Sequence, residues 1–227
     1  MRTLFTVDGL LFLLRWGHYL AGITWIGLLY YFNFIQGEWF KETDAGAKTA
    51  AVQKLVPRVL WWFRWGAMGT FLTGAAILGI RYSQAGAELL NTSWSIFILT
   101  GAAMGTFMFL NVWLIIWPNQ KIVIANASGQ PNPNAAAAGA KAGLASRTNT
   151  LFSIPLLFFM GAASHLPLNL NPDFNGWVML VALAVIIGGL ELNGIIGKTG
   201  IMTSVKGVIG CGFALIAVLY TVISVLA

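Results

Sequence analysis

The chain has 227 residues, of which 58% are hydrophobic and 9% charged, with a formal net charge of +6. Its mean hydropathy is +0.77 and its sequence pI about 9.7. Soluble domains carry roughly a quarter charged residues, so this composition excludes a solvated globular surface and points to an all-α integral membrane protein of one domain. The single cysteine, Cys211, excludes an internal disulfide, a two-cysteine metal site and c-type haem attachment.

A spanning helix needs about 20 mostly apolar residues. Six stretches meet that in chain order: 11–35, 59–80, 94–117, 148–167, 177–196 and 206–226. The first is too long for a signal peptide, holds Arg15 and lacks a cleavage site, so it is expected to be retained. The segment "AKTAAVQKLVPR" before the second reads as a short surface helix. The fourth contains Pro155, which a neighbouring helix can accommodate. The alanine-rich run after Asn134, in the longest loop (118–147), reads as a short capped helix.

The loops order the spans by charge. Lys41, Lys48, Lys54, Arg58, Lys121, Lys141, Arg147, Lys198 and Lys206 fall on one side; Arg2, Arg15 and Arg81 fall on the other. The excess of positive charge places the first side in the cytoplasm. Both termini are then expected in the periplasm of a bacterial inner membrane. Trp61, Trp62 and Trp117 serve as anchors at the inner interface, and Trp94 and Trp177 at the outer. The positive charge is accounted for by this topology and does not call for nucleic acid. Contact with the lipid bilayer is expected along all six spans.

The chain has two histidines. His18 lies in "RWGHYLAGITWIG" (15–27) and His165 in "FFMGAASHLP". Counting about 1.5 Å per residue along a span of roughly 30 Å puts both just below the outer boundary. Gly22 stands four residues below His18, and Gly161 four residues before His165 along its helix. Residues at that spacing share a helix face. Two imidazoles at one depth over glycine faces suit bis-histidine ligation of haem b, with Arg15 and Arg81 near its propionates. Copper is a weaker expectation, since two histidines without carboxylate or thiolate make an incomplete site; Met160 would be a third ligand or core packing. The glycines also suit close helix packing, and the histidines also suit headgroup or water contacts.

Other polar residues have plainer readings. Arg64 snorkels to the inner headgroups or pairs with Glu191. Glu191 and Asn193 read as a solvated helix end. Asn111 reads as an interhelical hydrogen bond, Gly101 and Gly105 as a helix-contact pair, and Cys211 as an inert thiol. No phosphate loop, Ser/His/Asp set or paired intramembrane carboxylates stand out.

Four segments together resemble a known family. They are "RWGHYLAGITWIG" (15–27), "WFRWGAMGTFLTGAAIL" (62–78), "GTFMFLNVWLIIWPNQKIV" (105–123) and "SRTNTLFSIPLLFFMGAASHLPL" (146–168). The chain is similar over roughly residues 10–170 to the membrane (N-terminal) domain of bacterial membrane-bound urate hydroxylases, the urate oxidase N-terminal domain family. Helix 1 is also similar to small membrane proteins with a helix-1 histidine, some linked to haem or copper. The resemblance implies a redox membrane protein coupled to a periplasmic c-type cytochrome, with His18 and His165 on the family's motif histidines. Two positions depart from the family pattern. Gly66 stands where it has an acidic residue, and Thr148 where it has a histidine. With no cytochrome domain expected in this chain, an electron acceptor would be a separate chain or a larger respiratory complex. Two other readings stand beside the haem subunit. One is a non-catalytic structural subunit of a membrane complex; the other is a urate hydroxylase component working with a separate cytochrome c.

Overall fold

The computed structural model describes residues 2–171 and 174–227, and among them there is no strand. The helices are α1 (Val7–Tyr30), α2 (Gly37–Glu42), α3 (Ala45–Ala50), α4 (Val56–Ala85), α5 (Ser93–Leu110), α6 (Trp117–Ala127), α7 (Ala135–His165), α8 (Gly176–Ile196) and α9 (Val205–Leu226). Wide π turns join three of them to the next without a break. Tyr31–Gln36 runs α1 into α2, Ala51–Leu55 runs α3 into α4, and Asn111–Ile116 runs α5 into α6.

Local chemistry sets the helix starts. The side chains of Thr6, Thr92, Asn175 and Ser204 accept backbone N–H bonds from the first turns of α1, α5, α8 and α9. Gly86, at φ +62°, ends α4, and Gly129, at φ +89°, comes just after α6. Both conformations favour glycine because it has no Cβ.

Two expected short helices are parts of longer ones. The alanine-rich run after Asn134 continues through Pro155 to His165 as α7, and Asn134 makes no side-chain cap bond. Alanine is the best helix former, so nothing in 135–147 stops the helix. The segment "AKTAAVQKLVPR" likewise passes through its π turn into α4, with Pro57 in the first turn where a missing N–H costs nothing.

Helix α7 is the centre of the bundle, touching α5, α6, α8, α9 and α1. Its buried face includes Leu151, Phe152, Pro155, Leu156 and Phe159. Phe97 of α5 stacks on Phe159, with ring centroids 5.9 Å apart. The α5 glycines receive α7 side chains: a Cβ on Gly101 would lie 3.1 Å from Met160 Cε, and one on Gly105 3.2 Å from Leu156 Cδ1. Met160 is therefore a packing residue, and Gly101 and Gly105 are the helix contact expected of them.

Helices α1 and α4 form a second, close antiparallel pair. Their seam is made of small residues: Gly17, Ala21 and Gly22 on α1 against Gly66, Gly69, Thr70, Thr73 and Gly74 on α4. A Cβ on Gly69 would meet Ala21 Cβ at 3.1 Å. Such seams let backbones approach and gain dispersion contacts.

The polarity of the bundle is inverted relative to a soluble domain. Asn33, Asn111, Thr148, Asn149, Thr150, Ser153 and Glu191 are buried, while Ile23, Leu114, Val185, Phe213 and Val225 are each more than 60% exposed. This suits an apolar solvent outside. Among the described residues three helices are long and apolar enough to cross a membrane: Ser93–Ala127, Gly176–Ile196 and Val205–Leu226. Their outer faces are compatible with lipid contact.

Candidate functional site

His18 sits on the α1 face turned to α4, half-buried, with Cε1 against Gly74. Its Nδ1 is 3.1 Å from Thr73 Oγ1. The Thr73 hydroxyl has one proton, and it is directed to the backbone: Gly69 O lies 2.6 Å away and Thr70 O 3.1 Å. Thr73 therefore accepts from His18, so Nδ1 carries the ring proton and Nε2 keeps its lone pair. A hydrogen bond on one ring nitrogen that fixes the other as a ligand is a common arrangement around bound metals.

His165 is the last residue of α7 and is exposed. Helices α1 and α7 run antiparallel and are tied by Tyr30 Oη to Ser153 Oγ at 3.0 Å and by Asn33 Nδ2 to Ser146 Oγ at 2.8 Å. His18 precedes Tyr30 by twelve positions, and His165 comes twelve after Ser153. At about 1.5 Å per residue, both lie roughly 18 Å from that tie, toward the same end of the bundle. Among the described residues no hydrogen bond joins the two histidines, and no group of three or more His, Cys, Asp or Glu gathers as a metal site.

The glycine faces differ from expectation. A Cβ on Gly22 would meet Thr70 Oγ1 at 3.9 Å, so this face is taken by α4. Gly161 has nothing within 4 Å and is exposed. The open glycine is thus on α7, and the α1 glycine serves the helix seam. Arg15 is exposed and Arg81 half-exposed. The antiparallel register that sets His18 against Gly74 puts both arginines at the histidine end. Among the described residues neither has an acidic partner.

A second polar cluster lies inside the bundle, where sequence reasoning does not place one. Asn111, the first residue of a π turn, donates from Nδ2 to Asn149 Oδ1 at 2.9 Å and to Glu191 Oε2 at 3.1 Å. Asn149 Nδ2 donates to Met108 O at 3.0 Å. The interhelical bond expected of Asn111 is present, joining α7 and α8. Glu191 is not a solvated helix end: it is 5% exposed. Nor does it pair with Arg64, whose guanidinium carbon instead lies 3.9 Å from the Trp117 ring centroid and 5.8 Å from that of Trp113. An offset of 80 positions hides the Asn111–Glu191 contact from local pattern reading. The one signal in the sequence is a single carboxylate inside a strongly apolar run. Cys211 is free and half-buried.

Gly66 and Thr148, the two positions expected to depart from the family pattern, are both closed. A Cβ on Gly66 would lie 3.1 Å from Trp25 N and 3.2 Å from Ala21 O, which are backbone atoms of α1. Thr148 is fully buried, its hydroxyl donates to Leu144 O at 3.1 Å, and its side chain fills the space over Gly194 of α8.

No curated protein and no solved structure matches this chain. The family model described as urate oxidase N-terminal matches residues 87–192. That region covers α5 through most of α8 and includes Asn111, Thr148, Asn149, His165 and Glu191. The α1 and α4 segments, with His18 and Gly66, lie outside it, so the matched region begins later than the expected 10–170. Over residues 87–192, then, the chain is similar to the urate oxidase N-terminal family.

Proposed function

We propose that the chain is a multi-pass inner-membrane redox subunit of urate oxidase N-terminal type, in which His18 and His165 hold a haem b. The carrying observation is the Thr73 bond, which leaves the His18 Nε2 lone pair free for a ligand position. The twelve-residue register from the Tyr30–Ser153 tie supports His165 as the second imidazole. When bound, haem b supplies one-electron transfer. The chain's own residues have simpler tasks: Thr73 orients the His18 ring, and Arg15 and Arg81 offer guanidinium groups to propionates at the same end. Electrons are exchanged with a periplasmic c-type cytochrome or a respiratory complex. The nine-to-three division of Lys and Arg supports the six-span topology with both termini periplasmic.

The reduced-minus-oxidised spectrum of the purified protein tests this reading. A b-type band that disappears in His18→Ala and in His165→Ala is expected. Absence of haem from protein purified out of haem-sufficient membranes overturns it. Reporter fusions after residue 227 and within 118–147 test the topology, with activity expected on opposite sides.

A second reading has its own observation. Gly66 and Thr148 are occupied by close helix packing, which favours a non-catalytic structural subunit over a urate-oxidising one. Retained activity of a parent complex after both histidine substitutions is the outcome that selects it. Urate-dependent cytochrome c reduction by membranes is expected to be absent.

A further inference from the structure

Between α1 and α4, at the end opposite His18, the surface opens into a groove of about 430 Å³ lined by Ile23, Thr24, Gly27, Leu28, Arg58, Val59 and Trp62. Its walls are almost wholly apolar, and its one charged member is Arg58. It is open at Gly27, where a Cβ would meet nothing within 4 Å. Elsewhere the same two helices are in contact through Gly66, Gly69 and Gly74, so the groove marks where the small-residue seam ends.

The polar end of the groove is cationic and uncompensated. Arg58 is exposed, and its Nη1 donates to the backbone carbonyl of Lys54 on the preceding turn at 3.3 Å. Among the described residues the ion pairs are Lys41 and Arg147 with Glu38, and none involves Arg58 or Lys54. Trp61 and Trp62, ring centroids 4.9 Å apart, are exposed beside it. Amphipathic tryptophans of this kind sit at headgroup level.

We propose that this groove is a binding site for an anionic phospholipid, with its phosphate on Arg58 and one acyl chain along Gly27, Leu28, Thr24 and Ile23. Charge complementarity selects the occupant. An apolar slot topped by one cation takes a molecule with a hydrocarbon chain and a phosphate at one end. A soluble anion has no use for the slot, and a zwitterionic lipid brings an ammonium group beside its phosphate that weakens its attraction to Arg58. Each Lys or Arg near an anionic membrane surface contributes about a fivefold preference.

Native mass spectrometry of the detergent-purified full chain tests the proposal, with phosphatidylglycerol, phosphatidylcholine and inorganic phosphate as probes. Phosphatidylglycerol adducts are expected to be retained about fivefold or more above phosphatidylcholine adducts. Arg58→Gln is expected to bring the two lipids together. Gly27→Leu, which adds a side chain where a Cβ would meet nothing within 4 Å, is expected to remove retention of both. Lys198→Gln, an equal change of net charge elsewhere, is expected to leave the preference in place. Equal retention of both lipids by the unaltered chain overturns the proposal, as does an unchanged preference in Arg58→Gln or retention in Gly27→Leu. Binding of inorganic phosphate that matches the lipid assigns Arg58 to a free anion and also overturns it. Helix content by circular dichroism confirms that each variant is folded. The outcome is independent of haem content, so it stands apart from the redox reading.

Discussion

Gly194 of α8 lies directly beneath Thr148 of α7: a Cβ at residue 194 would sit 2.6 Å from Thr148 Oγ1 and 2.8 Å from its Cγ2. The hydroxyl is held in place by its own bond to Leu144 O. Gly194→Ala is therefore expected to destabilise the bundle by about 1–3 kcal/mol, the usual cost of overpacking. Adding Thr148→Ala removes the two nearest atoms and is expected to recover part of the loss. Thermal unfolding in detergent of the single and double variants measures both effects.

Gly66 is the matching point on the other helix pair. Its nearest neighbours are backbone atoms of Trp25 and Ala21, which cannot rotate aside. Gly66→Ala is expected to force α1 from α4 and lower stability by about 1–3 kcal/mol. Gly79→Ala, in the same helix with nothing within 4 Å, is expected to change it little. Gly66→Asp, which introduces an acidic residue, adds a buried unpaired carboxylate and is expected to be worse than Gly66→Ala. A Gly66→Asp chain as stable as the unaltered one would contradict this packing.

The Asn111 amide serves two acceptors with its two protons. Asn111→Leu leaves Asn149 Oδ1 and Glu191 Oε2 without that donor, at about 1–3 kcal/mol for each buried group left bare. Glu191→Gln keeps an acceptor oxygen within reach of Asn111 and is expected to cost less than about 1 kcal/mol. A double-mutant cycle across the pair should show coupling above about 0.5 kcal/mol. Purely additive effects would remove the network.

Thr73 offers a test of the His18 geometry that leaves the histidine in place. Thr73→Val is nearly isosteric and deletes the acceptor for Nδ1. Partners of this kind typically change ligand affinity by about 10- to 100-fold. Haem titration of the Thr73→Val protein is expected to show a loss in that range, whereas Thr73→Ser should retain affinity.

Much of the helical layout can be read from hydropathy. The runs at 177–196 and 206–226 differ by one residue from α8 and α9, because apolar length and a capping Asn175 or Ser204 mark the start. Hydropathy underestimates length where polar but helix-prone sequence continues an apolar helix, as in 135–147. The site is harder. Depth along a helix comes from counting, so the common level of His18 and His165 is accessible. Rotation about the axis is not, because each π turn shifts the phase of the residues beyond it. Nor does counting reveal which neighbour a face meets. Gly22 turns to Thr70 instead of an open face, and Glu191 points inward to Asn111.

The three wide turns therefore divide the chain into rods that are continuous yet out of step. Across Asn111–Ile116 the extra residue offsets the faces of α6 from those of α5 by about 100°. The rod presents Asn111 to α7 and α8 at its middle, while Phe109 before the turn stacks on Phe71 of α4 and Trp117 after it meets Arg64 of the same helix. One uninterrupted element thus serves both sides of the bundle, holding α4 on one flank and α7 and α8 on the other.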